Sequence, residues 1–156
     1  MRLVLLFFLI FTSCATSAQT GKVVSVKDGD TIEMMINGKA VRIRLFGVDA
    51  PEKGQPFGDK ARQYCAELCF NKTVRMVKKN KDQYGRIVAE VYLPDGSSLN
   101  HRLVSAGFAW HYTQFSNSRE LARAQEKAKL EKSGLWADKS PIAPWNWRKQ
   151  HRRMAR

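Results

Sequence analysis

The sequence predicts an α+β protein in which a small β-barrel carries about three packed α-helices, and three observations support this prediction. The chain has 156 residues, a length typical of one compact domain. Five segments between residues 21 and 92 have the composition or the alternation of β-strands. One segment with helical periodicity lies between the third and fourth of these strands, and further helical segments follow the fifth.

The first three strands are predicted to form a meander with tight turns. Residues 21–27 are rich in β-branched side chains, and an Asp-Gly pair at 28–29 separates them from a second strand over 31–36. An Asn-Gly pair at 37–38 leads into the third strand. Apolar residues and arginines alternate over 41–45, so one face of this strand should belong to the core and the other should face solvent or a ligand.

The next three elements complete the predicted barrel. Residues 58–70 have a helical period, and strand character returns over 72–78 and 87–92, on either side of a turn. Five short strands with one helix between the third and fourth are typical of an OB-type Greek-key β-barrel. Barrels of this type commonly bind oligonucleotides on an open face.

Two further helices are predicted to pack on the barrel. The first is short and covers about 98–106. The second begins at Asn117, which lies three residues before Glu120 as in a capping box, and it ends at Gly134. Because no repeat or flexible linker divides residues 19–140, they are expected to fold as one domain.

The N-terminus, residues 1–18, is predicted to be a secretory signal peptide. Arg2 precedes a continuous apolar run over 3–11, and small residues follow up to Ala18, the expected cleavage point. This pattern indicates a secreted or periplasmic protein. A lipid anchor on Cys14 is an alternative processing route, and a buried first strand or core helix is another interpretation of the apolar run.

The charge of the chain points to a polyanionic partner. Lys and Arg number 27 against 14 Asp and Glu, which gives a formal net charge of +13 and suits nucleic acid or an anionic membrane surface. A hydrophobic content of 44% excludes a disordered basic tail as the whole protein. Residues 141–156 form a basic, aromatic C-terminal tail, for which phosphate contacts and a solvated end are both open interpretations.

Two cysteines, Cys65 and Cys69, remain once the predicted signal peptide is removed. Zinc is not expected, because neither a second cysteine pair nor a histidine pair accompanies them. The two sulfurs share one predicted helical face, which suits packing in the core, whereas a disulfide between them would close a very short loop. The sequence leaves both alternatives open.

Two acidic clusters, at 28–30 and 49–52, interrupt the basic chain. Carboxylates are unexpected on a protein that binds polyanions unless they hold a hard divalent cation such as Ca²⁺ or Mg²⁺, which then engages phosphate. Each cluster by itself also fits a hairpin turn or a loop entry. Asp28 lies two residues from Asp30 and is expected to contact a metal ligand rather than the metal.

Together with the arginines, these clusters resemble the thermonuclease family, also called the micrococcal or staphylococcal-type nucleases. Four motifs in the same order carry the resemblance: residues 28–31, 44–52, 82–86 and 134–136. The resemblance covers roughly residues 21–137 and therefore nearly the whole mature chain.

The resemblance implies a calcium site. Asp30 and Asp49 match the two calcium-binding carboxylates of the family, and Ala50 stands at the position whose backbone carbonyl completes the protein ligands. The best-known member has Thr where this chain has Ala50, a difference without consequence for a carbonyl ligand.

The resemblance also implies which residues act on the substrate. Glu52 matches the proposed general base that activates water, Arg44 and Arg86 match two arginines that grip the phosphate, and Tyr84 matches a residue near the bound nucleotide. These groups suit phosphodiester hydrolysis, because a carboxylate can accept a proton from water and guanidiniums can stabilise the added negative charge of the transition state.

The expected function is that of a secreted, Ca²⁺-dependent endonuclease that hydrolyses DNA and RNA with little sequence specificity. The resemblance implies that cleavage leaves 3′-phosphate ends. A monomer without an obligate protein partner is expected. Two alternatives are a non-catalytic nucleic-acid-binding module of the same fold and a basic cell-envelope protein that binds anionic lipid. The intact arginines and carboxylates weigh against the first alternative, and the second leaves the acidic clusters unexplained.

Several histidines and aromatic residues lie outside the catalytic motifs. The histidines are expected at the surface or at helix ends: His101, His111 and His151. Three aromatic residues fit base stacking and ordinary packing equally well: Trp110, Tyr112 and Phe115.

Overall fold

A computed structural model describes residues 18–154 of the chain. Within these residues the chain forms seven strands, four α-helices and one 3₁₀ turn. In chain order they are β1 (Ala18–Asp28), β2 (Thr31–Ile36), β3 (Lys39–Leu45), β4 (Val48–Asp49), α1 (Gly58–Cys69), β5 (Thr73–Lys81), β6 (Ile87–Tyr92), α2 (Leu99–Ser105), β7 (Trp110–His111), α3 (Arg119–Leu130), the 3₁₀ turn (Gly134–Ala137) and α4 (Pro144–Met154). Apart from Ala18, the predicted signal peptide and its Cys14 lie outside the described residues.

Five strands close into a barrel in the order β1-β2-β3-β6-β5. Neighbouring strands are antiparallel except β3 and β6, which are parallel. The remaining strands, β4 and β7, form a separate two-stranded antiparallel sheet. The predicted α+β class and the five-stranded OB-type barrel are therefore confirmed.

The inside of the barrel is filled by apolar side chains from alternate strand positions. In β3, Ile43 and Leu45 are buried, whereas Arg44 between them lies on the outer face. The other strands contribute fully buried residues of similar size: Val23, Ile32, Met34, Val74, Met76 and Val91. The predicted alternation in the third strand is thus confirmed, and it places an arginine on the outside of the barrel.

Helix α1 covers the barrel with a face that includes both cysteines. Cys65 and Cys69 are buried free thiols whose sulfurs lie 4.0 Å apart, about twice a disulfide bond length. The Cys69 thiol donates to the Cys65 carbonyl at 3.0 Å. The hydrogen bond between the Cys65 and Cys69 thiols, together with burial, raises the pKa of the Cys65 thiol. Of the two alternatives, the structure has core packing rather than a disulfide.

The ends of α3 differ from the prediction. Ser118, not Asn117, caps the helix, because the Ser118 hydroxyl accepts from the Leu121 amide at 3.2 Å. The helix ends at Leu130, before a left-handed Lys132 with φ 52°, and Gly134 begins the 3₁₀ turn instead of stopping the helix. A side chain at Gly134 would collide with the backbone of Gly107, so the glycine permits a close approach of two backbones.

The C-terminal tail, for which the sequence predicts no secondary structure, contains the fourth helix, α4. Its Trp145 ring stacks on Tyr112 with centroids 5.2 Å apart and meets the edge of Trp110 at 5.6 Å. The chain just before α4 is also held in place, because the side-chain amide of Gln55 donates to the Ile142 backbone carbonyl at 2.7 Å. Trp110 and Tyr112 therefore serve packing in this structure.

The prediction that His111 lies at the surface is wrong. His111 is buried because β7 pairs with β4, and its Nε2 lies 3.0 Å from the Ser116 carbonyl. Burial lowers the pKa of His111, against the raising effect of that hydrogen bond.

None of the helices in the described part of the chain combines the length and the apolar character needed to cross a bilayer.

Candidate active site

The turn between β1 and β2 presents the Asp30 carboxylate. The Asp28 carboxylate accepts from the Asp30 amide at 3.0 Å, a local bond that fixes the turn. Gly29 allows this turn to lie directly on α1, because a Cβ there would come within 2.9 Å of the Ala61 side chain and within 2.6 Å of the Ala50 side chain. As a result, Asp30 is buried.

The short sheet of β4 and β7 brings Asp49 to the same place. Asp49 pairs with Trp110 across this sheet, and its side chain is only 1% exposed. The next residue, Ala50, donates its amide to an Asp30 carboxylate oxygen at 2.6 Å. The structure therefore places Asp30, Asp49 and Ala50, the three residues of the predicted metal site, side by side.

Arg44 joins the two carboxylates through one nitrogen. Its Nη2 lies 3.0 Å from Asp30 Oδ2 and 2.8 Å from Asp49 Oδ1. Its Nη1 donates to the carbonyls of Leu45 at 2.9 Å and Val48 at 2.7 Å. With these contacts and a side chain that is 14% exposed, the guanidinium has a fixed orientation.

One guanidinium does not balance the negative charge around Asp30. Burial raises the pKa of Asp30, the charge of Arg44 lowers it, and the neighbouring Asp28 and Asp49 raise it again; the resulting pKa is well above the ordinary value. A raised carboxyl pKa means that the ionised form is disfavoured where it stands. A further positive charge beside Asp30 and Asp49 would relieve this cost.

The donor set suits a hard cation. Oxygen ligands from carboxylates and carbonyls are those that Ca²⁺ and Mg²⁺ prefer, and both ions complete their coordination with water. Among residues 18–154, no cluster of three or more His, Cys, Asp or Glu side chains has the arrangement of a metal site. The predicted set of Asp30, Asp49 and the Ala50 carbonyl supplies oxygen donors only, which suits a hydrated hard cation.

Glu52 follows β4 and lies at the solvent side of this group. Its backbone amide donates to the side-chain oxygen of Gln55 at 3.0 Å, and the backbone amide of Gln55 donates to the Glu52 backbone carbonyl at 3.0 Å. These two bonds fix the loop, while the Glu52 carboxylate remains half-exposed and accessible to water.

Arg148 of α4 also contacts these carboxylates, although its sequence motif does not predict a place in the site. Its Nη2 lies 2.7 Å from Asp49 Oδ2, and its Nη1 lies 2.5 Å from Glu52 Oε1. Burial would lower the pKa of Arg148, but hydrogen bonds to Asp49 and Glu52 raise it above its ordinary value. The one available sequence signal was the basic and aromatic composition of the tail, which does not single out this arginine.

Arg86 is held by a different turn. Its Nε lies 2.6 Å from the Asp82 carboxylate, which also accepts from the amides of Tyr84 at 2.9 Å and Arg86 at 3.0 Å. Burial opposes ionisation of Asp82, but these bonds prevail and lower its pKa. The Tyr84 ring is 75% exposed, with the Arg86 guanidinium 5.5 Å from its centroid.

The strand register relates Arg86 to the carboxylates. Arg44 lies opposite Val88 in the parallel pair of β3 and β6, and Arg86 comes two residues before Val88. Val88 therefore shares the outer face of the barrel with Arg44, and Arg86 lies just before the start of the same strand, β6. Among the described contacts, neither Arg86 nor Tyr84 bonds to the carboxylates of Asp30, Asp49 or Glu52.

The carboxylates and arginines of this site combine opposite charges in a way that suits binding of a phosphate ester. Buried carboxylates at its centre can hold a cation, and arginines around them can bind the oxygens of an anion in a bidentate manner. A half-exposed carboxylate at the rim can exchange protons with water. A site of this kind could bind a phosphodiester and stabilise added negative charge on it.

Comparison with known proteins finds a matching family and similar proteins over most of the chain. Residues 42–138 match the family model described as staphylococcal nuclease homologue. A protein of Escherichia coli named "Uncharacterized endonuclease" is 47% identical over 128 residues, which cover 82% of this chain and 84% of that protein. A Haemophilus influenzae protein of the same name is 40% identical over 149 residues, covering 95% and 83%.

A third relative bears the name "Micrococcal nuclease" and comes from Shigella flexneri. It is 36% identical over 139 residues, which cover 83% of this chain and 80% of that protein. The matched family region contains Arg44, Asp49, Glu52 and Arg86. The resemblance inferred from the four motifs is therefore confirmed, and the chain belongs to the family of staphylococcal nuclease homologues.

Proposed function

We propose that this protein is a Ca²⁺-dependent endonuclease that hydrolyses phosphodiester bonds of DNA and RNA with little sequence specificity. Cleavage of the bond to the 5′ oxygen would leave 3′-phosphate ends. The observation that carries the proposal is the placement of Asp30 and Asp49 on one Arg44 nitrogen, with Glu52 at the solvent side. The names of the relatives, endonuclease and micrococcal nuclease, support it.

In the proposed mechanism, the buried carboxylates would hold the cation. Asp30, Asp49 and the Ala50 carbonyl would hold Ca²⁺, which supplies positive charge to the phosphate oxygens when bound. Asp28 keeps the Asp30 turn in place through its bond to the Asp30 amide. Calcium suits this site better than magnesium, because Ca²⁺ tolerates irregular coordination and exchanges its waters more readily.

The arginines and Glu52 act on the substrate and on water. Arg44 and Arg86 would contact phosphate oxygens, and their charge stabilises the transition state more than the ground state because negative charge accumulates there. Glu52 would accept a proton from the attacking water, a contribution of about 10²- to 10⁴-fold in rate for a well-placed base. Tyr84, exposed beside Arg86, would lie next to the nucleotide.

The proposed location is outside the cytoplasm. The apolar run and the small residues that end at Ala18 support export through a signal peptide, with lipid attachment at Cys14 as the alternative route. We further propose that the protein acts as a monomer.

The test of this function is cleavage of DNA by the purified protein in a gel, with Ca²⁺ or with excess chelator. Chelation should abolish cleavage, and added Ca²⁺ should restore it. Asp30→Asn should cut poorly and bind Ca²⁺ weakly, whereas the matched control Asp95→Asn, at an exposed position away from the site, should behave as the wild type.

Two results would contradict the proposal. Undiminished hydrolysis in excess chelator would remove the metal from the mechanism. Binding of DNA without any cleavage, at every Ca²⁺ concentration, would favour a non-catalytic nucleic-acid-binding module instead.

A further inference from the structure

Arg148 gives the candidate site a cation from this chain itself. Its guanidinium bridges Asp49 and Glu52, the predicted metal ligand and the predicted base. It comes from α4, 99 residues along the chain from Asp49, and the proposed mechanism assigns it no role.

The hydrogen bonds that Asp49 accepts from two arginines leave little room for a metal cation. Asp49 Oδ1 accepts from Arg44 at 2.8 Å and from Arg148 at 3.2 Å, and Oδ2 accepts from Arg148 at 2.7 Å. Asp49 is 1% exposed, and all the described side-chain partners of its two oxygens belong to these guanidiniums. A divalent ion that coordinates Asp49 must therefore displace a guanidinium.

Arg148 is the guanidinium that can leave. Arg44 is 14% exposed and also donates to two backbone carbonyls, whereas the Arg148 side chain is 34% exposed and has only the two carboxylates as described partners. Its movement would not require α4 to unfold or detach, because Trp145, three residues earlier, stays packed on Tyr112. Rotation of a long side chain is sufficient.

We propose that Arg148 and the divalent cation compete for Asp49, so that α4 regulates cation binding at the candidate active site. This inference rests on the proposed function. Arg148 also occupies Glu52 Oε1, so its release frees a metal ligand and the proton acceptor at once. The protein then binds the divalent cation at Asp49 only when the Arg148 side chain has turned away.

The test is calorimetric titration of Ca²⁺ into the wild type, Arg148→Gln and Arg152→Gln. Arg152 lies one helical turn further on α4, is exposed and bonds only to the Arg148 carbonyl among its described contacts. Both substitutions remove one positive charge, but only the first removes the competitor. In the wild type, Ca²⁺ must break the hydrogen bonds between Arg148 and Asp49, and hydrogen bonds between charged groups are strong. Arg148→Gln should therefore bind Ca²⁺ about ten- to a hundredfold more tightly than the wild type. Arg152→Gln should change the affinity by less than about threefold, through screened charge alone.

A second variant and a second measurement guard against a folding defect. Arg148→Lys keeps the charge but cannot contact both carboxylates through a planar fork, so it should bind Ca²⁺ severalfold more tightly than the wild type. In thermal unfolding, Arg148→Gln should melt below the wild type without Ca²⁺ and should gain more from saturating Ca²⁺.

The possible failures are distinguishable. If the wild type, Arg148→Gln and Arg148→Lys all bind Ca²⁺ with the same affinity, competition is overturned while the proposed function stands. If Ca²⁺ binds to none of them and cleavage continues in chelator, both the competition and the calcium-dependent mechanism are overturned.

Discussion

Glu52 is the carboxylate of the site that water can reach. Asp30 and Asp49 are buried and share Arg44, whereas Glu52 is half-exposed and bonds to Arg148. The difference in surroundings separates the roles of these residues: buried carboxylates suit a cation, and an exposed one suits proton exchange with water.

Replacement of Glu52 by Gln tests that separation. The change keeps the shape of the side chain and removes the proton acceptor, so kcat should fall by a factor of about 10² or more, with KM and Ca²⁺ affinity nearly unchanged. Steady-state cleavage of duplex DNA and calcium titration measure these quantities. Glu67→Gln, on the exposed face of α1, is the control. A kcat near that of the wild type would make Glu52 a bystander.

His111 makes stability depend on pH. Its folded pKa is lowered from 6.5 by burial, so the unfolded chain binds a proton more readily. The stability that His111 contributes is therefore present above the unfolded value and is lost as pH falls through the folded one. We expect the melting temperature of the wild type to drop more steeply than that of His111→Gln as pH falls below 6.5. Parallel curves for the two proteins would contradict this assignment.

At the level of elements, the sequence predicts the barrel well because its signals are local. Turn pairs such as Asn37-Gly38 and the alternation within β3 require no knowledge of the rest of the chain. The start of α3 illustrates the limit. Asn117 and Ser118 are both good capping residues, and the choice follows from the helical phase that buries Leu121 and Ala124 against the core.

Helix α4 could not be predicted in the same way. Its sequence is dominated by charged and amide side chains, and short helices of this kind are marginal on their own in water. Its docking depends on Trp145 meeting Trp110 and Tyr112, which are distant in the chain. Tertiary contacts of this kind leave no periodic signal, so Arg148 was missed together with the helix that carries it.

Trp145 should therefore control the stability of α4. Trp145→Ala removes the stacking on Tyr112 and the edge contact with Trp110, and it should lower the free energy of unfolding by about 1–3 kcal/mol. Trp147→Ala removes a stack on His151 within the same helix and should cost less than about 1 kcal/mol. Urea unfolding measures both changes. Equal losses would show that Trp145 does not anchor the helix.

On the scale of the whole molecule, a strongly basic chain surrounds an acidic centre. The net charge of +13 favours the approach of a polyanion, while the carboxylates of the site are locally balanced by Arg44 and Arg148. The resemblance to the thermonuclease family implied that Asp30 and Asp49 bind one cation and that Arg44 grips the phosphate beside it. The positive charge of Arg148, which α4 brings from near the C-terminal end of the chain, could be recognised only in the structure.

The distribution of this charge gives the last prediction. Each phosphate neutralised by Lys or Arg contributes about 0.9 to the slope of log affinity against log salt, so DNA binding should weaken steeply between about 50 and 200 mM salt. The exposed Lys149 and Arg152 extend the basic surface of α4 beside the site. The double variant Lys149→Gln/Arg152→Gln should lower the slope by about 1–2. Measurements use Glu52→Gln protein to prevent cleavage, with Lys127→Gln/Lys132→Gln on and just after α3 as the charge-matched control. Equal slopes for the two double variants would mean that α4 does not contact the nucleic acid.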